Sequence, residues 1–435
     1  WDEDDEVWHI LTTRGDNFTS QYVGIGTGIL HVPKLPGIDG IEDFKGHSFH
    51  TSRWDYAYTG GDASGVLMEK LKDKRVALIG TGATAIQCVP HLARACETFY
   101  VCQRTPSSVD VRGNHPTDPK WFEEMATPGW QRKWMENFAV NLAGGGAEED
   151  LVQDGWTDMS RRVRDAMVDF PKDVRSDSEE MLEAVENSDF EKMENIRTRV
   201  ESIVQDKKTS ESLKAWYKQL CKRPCFHDEY LDAFNEPSTS LLDTDGKGVD
   251  RISEKGVVVQ GVEYEVDCII YATGFEVGTS LIRRAGFESY GRDGFTLSQA
   301  WSDGMRSKHG IHVRNFPNVF LVQPTQGGNL IINVPHNILE SAMTIAMMVR
   351  HAEDRGCQTI EVSQQAQDAW IELLLTGPGM TLGSPDCTPG YYNNEGRAMV
   401  PQARYAVGYP AGAPAFFRYI KEWRESGDFE GIEFT

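Results

Sequence analysis

The 435-residue sequence is short of positive charge: 44 Lys and Arg stand against 66 Asp and Glu, a formal net charge of −22. Nucleic acid and anionic membrane surfaces both call for a basic face, so neither is expected as a main partner, while a local basic pocket for one phosphate stays open. The chain lacks any apolar run near the ~20 residues that a membrane span needs. The run ILESAMTIAMMV, at 338–349, is shorter and carries Glu340, which suits a buried helix. There is no CxxC pair among the eight cysteines, at positions 88, 96, 102, 221, 225, 268, 357 and 387. In a chain this long they are expected to be reduced thiols of a cytoplasmic protein. A Met start and a basic-then-apolar leader are also missing: the opening WDEDDEVWHI is expected not to be where the gene product begins.

What is present is a repeat. Residues 7–28 (VWHILTTRGDNFTSQYVGIGTG) read as strand, turn at Arg14-Gly15-Asp16, strand, and an apolar strand ending in Thr-Gly. Residues 256–275 (GVVVQGVEYEVDCIIYATGF) read the same way, with the turn at Gly261. Alternating and β-branched residues support the strands in both copies. Upstream of the second copy, KRVALIGTGATAIQCVPHLA (74–93) is an apolar strand, then Gly80-Thr81-Gly82-Ala83-Thr84-Ala85, then a helical pattern. The strand–GxGxxA–helix context makes this a dinucleotide fingerprint. Gly80 permits the tight turn, Gly82 lets backbone approach a pyrophosphate, and Ala85 packs helix on strand. Upstream of the first copy nothing equivalent exists. GIGTGI (24–29) is followed by LHVPKLPG, whose two prolines forbid a helix. A first dinucleotide-binding half is therefore expected to precede residue 1.

The next strand, TFYVCQRTP (98–106), ends in Arg104-Thr105. An acidic residue there suits a ribose 2′-hydroxyl and an arginine a 2′-phosphate, so NADPH is favoured over NADH, with an ordinary surface arginine as the alternative. Candidate cofactor-binding residues are Gly80 to Ala85, Gln87, Arg104, Thr105, and the Ala272-Thr273 turn that closes the unit.

Between the two units lies FKGHSFHTSRWDY (44–56). Its Phe44-x-Gly46-x-x-x-His50-x-x-x-Trp54-Asp55 resembles the fingerprint of Baeyer–Villiger monooxygenases, and its setting between a flavin-domain strand and an NADP-binding unit is similar to theirs. The resemblance runs over nearly the whole chain and is weakest across 118–217. It implies that this stretch couples NADP binding to domain motion as an interdomain linker; a packed linker histidine is the alternative. No metal site is expected, because His47 and His50 have no second ligand pair at usual spacing. CKRPC (221–225) resembles the family's Lys-Arg-Pro segment, which implies Arg223 as the catalytic residue and Lys222 as an NADP phosphate ligand. A fixed guanidinium can stabilise negative charge on a former carbonyl oxygen without proton transfer. DCTPGYYNNEGR (386–397) looks like a family loop near the active site. Gly390 stands there where smaller-ketone members often carry tryptophan, which suggests a roomier pocket; a plain Pro-Gly turn is the alternative.

The expected fold is α/β, with two Rossmann-like dinucleotide-binding domains, the first N-terminally incomplete, and a helical insertion. The expected division is 1–43 for the flavin-domain remnant, 44–60 for the linker, 61–117 and 218–276 for the NADP domain, 118–217 for the insertion, and 277–435 for the rest of the flavin and substrate domain. The charge runs of 118–217 read as solvated helix faces, with lining of the substrate entrance as a second possibility. The resemblance implies FAD, NADPH, O2 and a small-molecule ketone turned into an ester or lactone. It leaves the ketone and the oligomeric state open. A related flavin monooxygenase acting on nitrogen or sulfur, and a non-catalytic NADP-binding fragment, are the rival readings; the chain by itself is expected not to hold FAD stably.

Overall fold

The structure, a computed structural model, describes residues 1–143, 149–168, 179–277, 279–323, 325–328, 333–377, 387–396 and 405–435. A hairpin of β1 (Trp8–Leu11) and β2 (Asn17–Ser20) leads into β3 (Val23–Ile25). Then come β4 (His47–His50), α1 (Tyr56–Thr59), β5 (Arg75–Ile79), α2 (Ala83–Ala95), β6 (Thr98–Gln103) and the short β7 (Val109–Asp110). Five helices follow: α3 (Pro119–Met125), α4 (Trp130–Leu142), α5 (Gly155–Val168), α6 (Glu179–Ile203) and α7 (Lys207–Leu213). The chain returns through β8 (Cys225–Phe226), β9 (Thr239–Asp243), β10 (Arg251–Ile252), β11 (Gly256–Val259), β12 (Val262–Glu265) and β13 (Cys268–Tyr271). It ends with α8 (Leu281–Ala285), α9 (Leu297–Ala300), β14 (Val319–Leu321), α10 (Val334–Arg355), β15 (Ile360–Val362), α11 (Gln364–Leu375), α12 (Ala413–Ser426) and β16 (Ile432–Phe434).

The centre is a five-stranded, all-parallel sheet in the order β4-β13-β5-β6-β9. Its strands read as unbroken apolar runs because both faces are covered. Alternate residues of β5 show how. Val76 and Leu78 pack with Ala85, Val89 and Leu92 of α2, and Ala77 and Ile79 pack with Val257 and Val259 of β11 on the other face. The period of two along a strand sends neighbours to opposite sides.

Both copies of the repeat are present. In the second, β11 and β12 form a hairpin closed by Gln260-Gly261, both at positive φ (51° and 76°), and β13 enters the sheet between β4 and β5. In the first, β3 pairs in parallel with β14, its one strand partner among the described residues. The stretch expected to be a linker holds a strand: His47–His50 pair with Cys268–Tyr271 as an edge of the parallel sheet. Four residues are too few to show a period in the sequence, and the pairing is supplied from more than 200 residues away.

Residues expected to form helices between 118 and 217 do so in α3 to α7; SDS at 176–178 lies outside the described residues. Their charges are mostly solvated, but Lys192, Arg197 and Lys214 are buried. Lys192 is buried, with Nζ 2.5 Å from Asp110 Oδ2 and 2.9 Å from Asp158 Oδ2, so it ties α5 and α6 to β7. Residues 338–349 form a helix within α10, but one that is only half-buried: Ile338, Leu339 and Met347 are exposed, while Glu340 is 2% exposed.

The cysteine expectation fails at one place. Cys221 and Cys387 form a disulfide with Cα atoms 5.2 Å apart, joining positions 166 residues apart, and six cysteines remain free. No spacing rule reveals a pair that only tertiary folding brings together. Alkylation of denatured, unreduced protein is therefore expected to modify six cysteines, and all eight after reduction. Modification of all eight without reduction would show that the bridge does not form in solution.

Candidate active site

The dinucleotide turn sits at the carboxyl end of β5. Gly80 has φ +117°, and a Cβ there would lie 2.6 Å from the carbonyl oxygen of Ala272. Only glycine fits, because the turn is left-handed and pressed against the end of β13. Gly82 precedes α2 at its N-cap and offers no side-chain cap, and a Cβ on it would meet no atom within 4 Å. Backbone N–H groups of the first turn are thus exposed over open space, as a pyrophosphate requires. Thr81 does not face that space: its hydroxyl donates to Thr105 O at 2.7 Å and fastens the loop to the end of β6. Ala83 and Thr84 form the first turn of α2, and Ala85 is fully buried against the sheet. Gln87 spends its amide on Ala83 O of its own helix (2.9 Å). The residues present fit a nicotinamide dinucleotide.

Three cations gather at the same end of the sheet. Arg104 follows β6 and its Nη2 lies 3.0 Å from Glu395 Oε2. Lys34 Nζ lies 3.5 Å from Glu395 Oε1. The position of Lys34 is set by Ala272-Thr273-Gly274: Thr273 Oγ1 donates to Lys34 O (2.5 Å) and Lys34 N donates to Gly274 O (2.9 Å). Lys222 Nζ donates to Pro389 O (2.7 Å). Burial lowers the pKa of Lys222, and Arg104 nearby lowers it further. Burial raises the pKa of Glu395, but Arg104 and Lys34 outweigh it and hold the carboxyl below its ordinary value. Sequence reasoning missed Lys34 and Glu395. No motif marks either, and both arrive from loops far away in the chain.

The fingerprint residues follow the edge strand β4: Phe44, Gly46 and Asp55 lie at its amino end, beside Asp267 and His47, and His50 lies at its carboxyl end, on the side of the dinucleotide turn. Gly46 is required by contact: a Cβ would lie 2.4 Å from the Phe44 ring and 2.8 Å from Asp267 O. His50 ends β4, is buried, and meets the edge of Phe275 at a ring separation of 5.7 Å, so it touches the segment leaving β13. Burial lowers its pKa. Trp54 stands edge-on to Phe49 (5.3 Å) and donates from Nε1 to Thr59 (3.1 Å). Asp55 caps α1 through Tyr58 N and lies 3.0 Å from His47 Nε2. His47 is thus engaged with a carboxylate and with Tyr58, on which it stacks. Among the described residues there is no group of three potential metal ligands.

Arg223 lies between the short helical turn Gln219–Cys221 and β8. Cys225 N donates to Ser108 O, so the segment is anchored beside the start of β7. Among the described residues the guanidinium makes no hydrogen bond or ion pair. It borders a cavity of about 610 Å³ whose apolar wall includes Ile25 and Leu321, the last residues of β3 and β14, with Leu281, Val334 and Ile338. Phe138 of α4 and Trp156 of α5 complete it, so the helical insertion does contribute to this space. Gly390 does not line it. A Cβ there would point at Lys222 Nζ, 3.2 Å away, and in the same loop Tyr392 is the residue that reaches the cavity.

Two units of the same strand order, one carrying the dinucleotide turn and the other walling a cavity with the Arg223 guanidinium at its rim, mark an oxidoreductase built to hold two dinucleotides. The chain belongs to the Baeyer–Villiger monooxygenases. It is 46% identical over 436 residues to neopentalenolactone D synthase of Streptomyces avermitilis, covering 100% of this chain and 72% of that one. It is 40% identical over 436 residues to Baeyer–Villiger monooxygenase 4 of a Dietzia species, covering 100% of this chain and 70% of that one. Among solved structures, the polycyclic ketone monooxygenase of the fungus Thermothelomyces thermophila superposes with a TM-score of 0.90 at 35% identity, over 100% of this chain and 72% of its own. No family model matches the chain.

Proposed function

We propose that this chain oxidises a bulky or cyclic ketone to an ester or lactone, with FAD as prosthetic group, NADPH as reductant and O2 as oxidant. The observation that carries the reading is the guanidinium of Arg223, without a partner among the described residues, at the mouth of a largely apolar cavity of about 610 Å³. Bound flavin supplies the redox and oxygen-transfer chemistry. The protein's residues do the rest. Thr27, Gly28 and Gln323, at the ends of β3 and β14, would face the flavin across the cavity. The apolar wall holds the ketone's hydrocarbon and keeps water out. Arg223 presents a permanent cation to the carbonyl oxygen and stabilises the negative charge that develops there, without gaining or losing a proton. Gly80 and Gly82 would hold the pyrophosphate of NADPH on the N-terminus of α2, and Arg104, with Lys222, would take the 2′-phosphate. The fingerprint residues would couple cofactor binding to domain motion, with His50 and Trp54 as the packed joint.

The relative named for polycyclic ketones supports a bulky substrate. Six free thiols support a cytoplasmic location, which has to accommodate the Cys221–Cys387 bridge. No helix among the described residues is long and apolar enough to cross a membrane.

The test is product analysis. Flavin-loaded enzyme with NADPH and O2 is expected to convert fused-ring ketones to lactones, with smaller cyclic ketones slower. Formation of N- or S-oxides from amines and sulfides with no lactone from any ketone would overturn the reading. A second measurement tests the cofactor. Arg104→Ala is expected to raise KM for NADPH about tenfold, the loss of about 1.5 kcal/mol from one charge-assisted contact, and to leave KM for NADH nearly unchanged. Equal effects on both would remove Arg104 from the 2′-phosphate site.

A further inference from the structure

The Arg104 guanidinium is already engaged by a carboxylate. Glu395 reaches it from a loop 291 residues away at 3.0 Å, and its second oxygen lies 3.5 Å from Lys34. This placement is built rather than incidental. The loop is pinned at its start by the Cys221–Cys387 bridge and by Lys222 Nζ on Pro389 O. It is folded on itself by Asn393, whose side chain accepts from Gly390 N and Gly396 N and donates to Cys387 O. Glu395 itself sits at φ +58° with its N–H on Gly390 O, a left-handed conformation that a non-glycine residue adopts only when its surroundings impose it. Two cations, with Lys222 near enough to sense both Arg104 and Glu395, thus face one anion at the end of the sheet where the dinucleotide turn lies.

We propose that Glu395 is a specificity-determining residue that competes with the 2′-phosphate of NADPH for Arg104 and Lys34, so that the phosphorylated cofactor enters only by displacing this carboxylate. The proposal rests on the reading of Arg104 as the 2′-phosphate ligand and deepens it. A phosphate brings more charge and more acceptor oxygens than a carboxylate, so it can win the exchange. An unphosphorylated dinucleotide offers no anion at that position and leaves Glu395 where it is. The same carboxylate therefore weakens NADPH binding, and it couples arrival of the 2′-phosphate to release of the loop whose Tyr392 lines the cavity.

The test is calorimetric titration of this chain with NADP+, NAD+ and 2′-AMP, for wild type, Glu395→Gln, Arg104→Ala and the double variant. Glutamine preserves size and hydrogen bonding, and NAD+ binding reports an intact turn at Gly80. Glu395→Gln is expected to tighten NADP+ and 2′-AMP about three- to tenfold, the range that a partly exposed ion pair can oppose, with NAD+ unchanged. In the Arg104→Ala background the same substitution is expected to tighten NADP+ and 2′-AMP clearly less, because only Lys34 is then contested. Weaker NADP+ binding by Glu395→Gln would make Glu395 a ligand and overturn the proposal. Tightening of equal size with and without Arg104 would reduce it to general charge repulsion and overturn it equally. If Arg104→Ala leaves NADP+ binding unchanged, the 2′-phosphate reading fails first; if Arg104→Ala weakens NADP+ while Glu395→Gln does nothing, that reading stands and the competition alone is refuted.

Discussion

Arg223→Ala is expected to lower ester formation by about 10²–10³-fold in the flavin-loaded enzyme, the usual loss when one preorganised stabiliser of a developing oxyanion is removed. Arg223 is exposed at the cavity rim and makes no hydrogen bond or ion pair among the described residues, so the fold does not depend on its charge. Flavin loading and NADP+ affinity are accordingly expected to stay close to wild type. Arg223→Lys is expected to recover little of the activity, because an ammonium is a compact point charge and cannot present the planar fork of a guanidinium. Ester yield by gas chromatography, read beside NADPH consumption, separates the outcomes. Continued NADPH consumption without ester would locate the loss in the oxygen-transfer step. Near-normal ester yield from Arg223→Ala would remove this residue from the chemistry and leave Lys222-Arg223-Pro224 as a structural segment.

The largest effect on stability is expected away from the site, at Arg424. Its Nη2 lies 2.6 Å from Glu340 Oε2, and both side chains are 2–3% exposed. Nη1 adds bonds to Glu340 O (3.3 Å) and Thr344 Oγ1 (3.1 Å), which joins α12 to α10. Removing one member of a buried pair strands the other charge, at about 3–5 kcal/mol. Arg132 stays 3.2 Å from the other oxygen of Glu340, so Arg424→Ala is expected near the lower end, about 3 kcal/mol. Replacing both partners with apolar residues of similar volume, Arg424→Met with Glu340→Leu, is expected to cost less than Arg424→Ala alone, because no charge is then left unpaired. Urea unfolding of the three proteins decides it. A double variant less stable than Arg424→Ala would mean that packing and not charge dominates there.

The rim guanidinium and the buried one show how differently two arginines of one sequence can be read. Arg223 was legible because Lys-Arg-Pro follows a helical segment and precedes an aromatic-rich stretch in the manner of a known family. Arg424 was not, since an arginine one turn from the end of an amphipathic helix reads as solvated. Similarly, Gly80 and Gly82 announced themselves through strand, turn and helix in immediate succession. Their roles are local: a positive φ, a close approach to Ala272, an uncapped helix start. The fingerprint at 44–56 was legible as a pattern but not as structure, because its residues His47–His50 form a strand whose partner is β13. Gly390 was read as a pocket residue, whereas the loop turns so that position 390 faces Lys222 and Tyr392 faces the cavity.

The sequence by itself determined the repeated strand unit, the dinucleotide turn, the helical character of 118–217 and the family. Each of these is written in short-range periodicity or in a motif of a few consecutive residues, where backbone preference and alternate burial act directly on neighbours. Tertiary structure alone decided that Cys221 is bonded to Cys387, that Lys192 is buried between two aspartates, that Glu395 lies on Arg104, and that Arg223 opens onto the ends of β3 and β14. Those pairings join residues tens to hundreds of positions apart. Nothing near either partner in the chain encodes the other, because their approach is fixed by how the sheet, the helices and the C-terminal loop pack together.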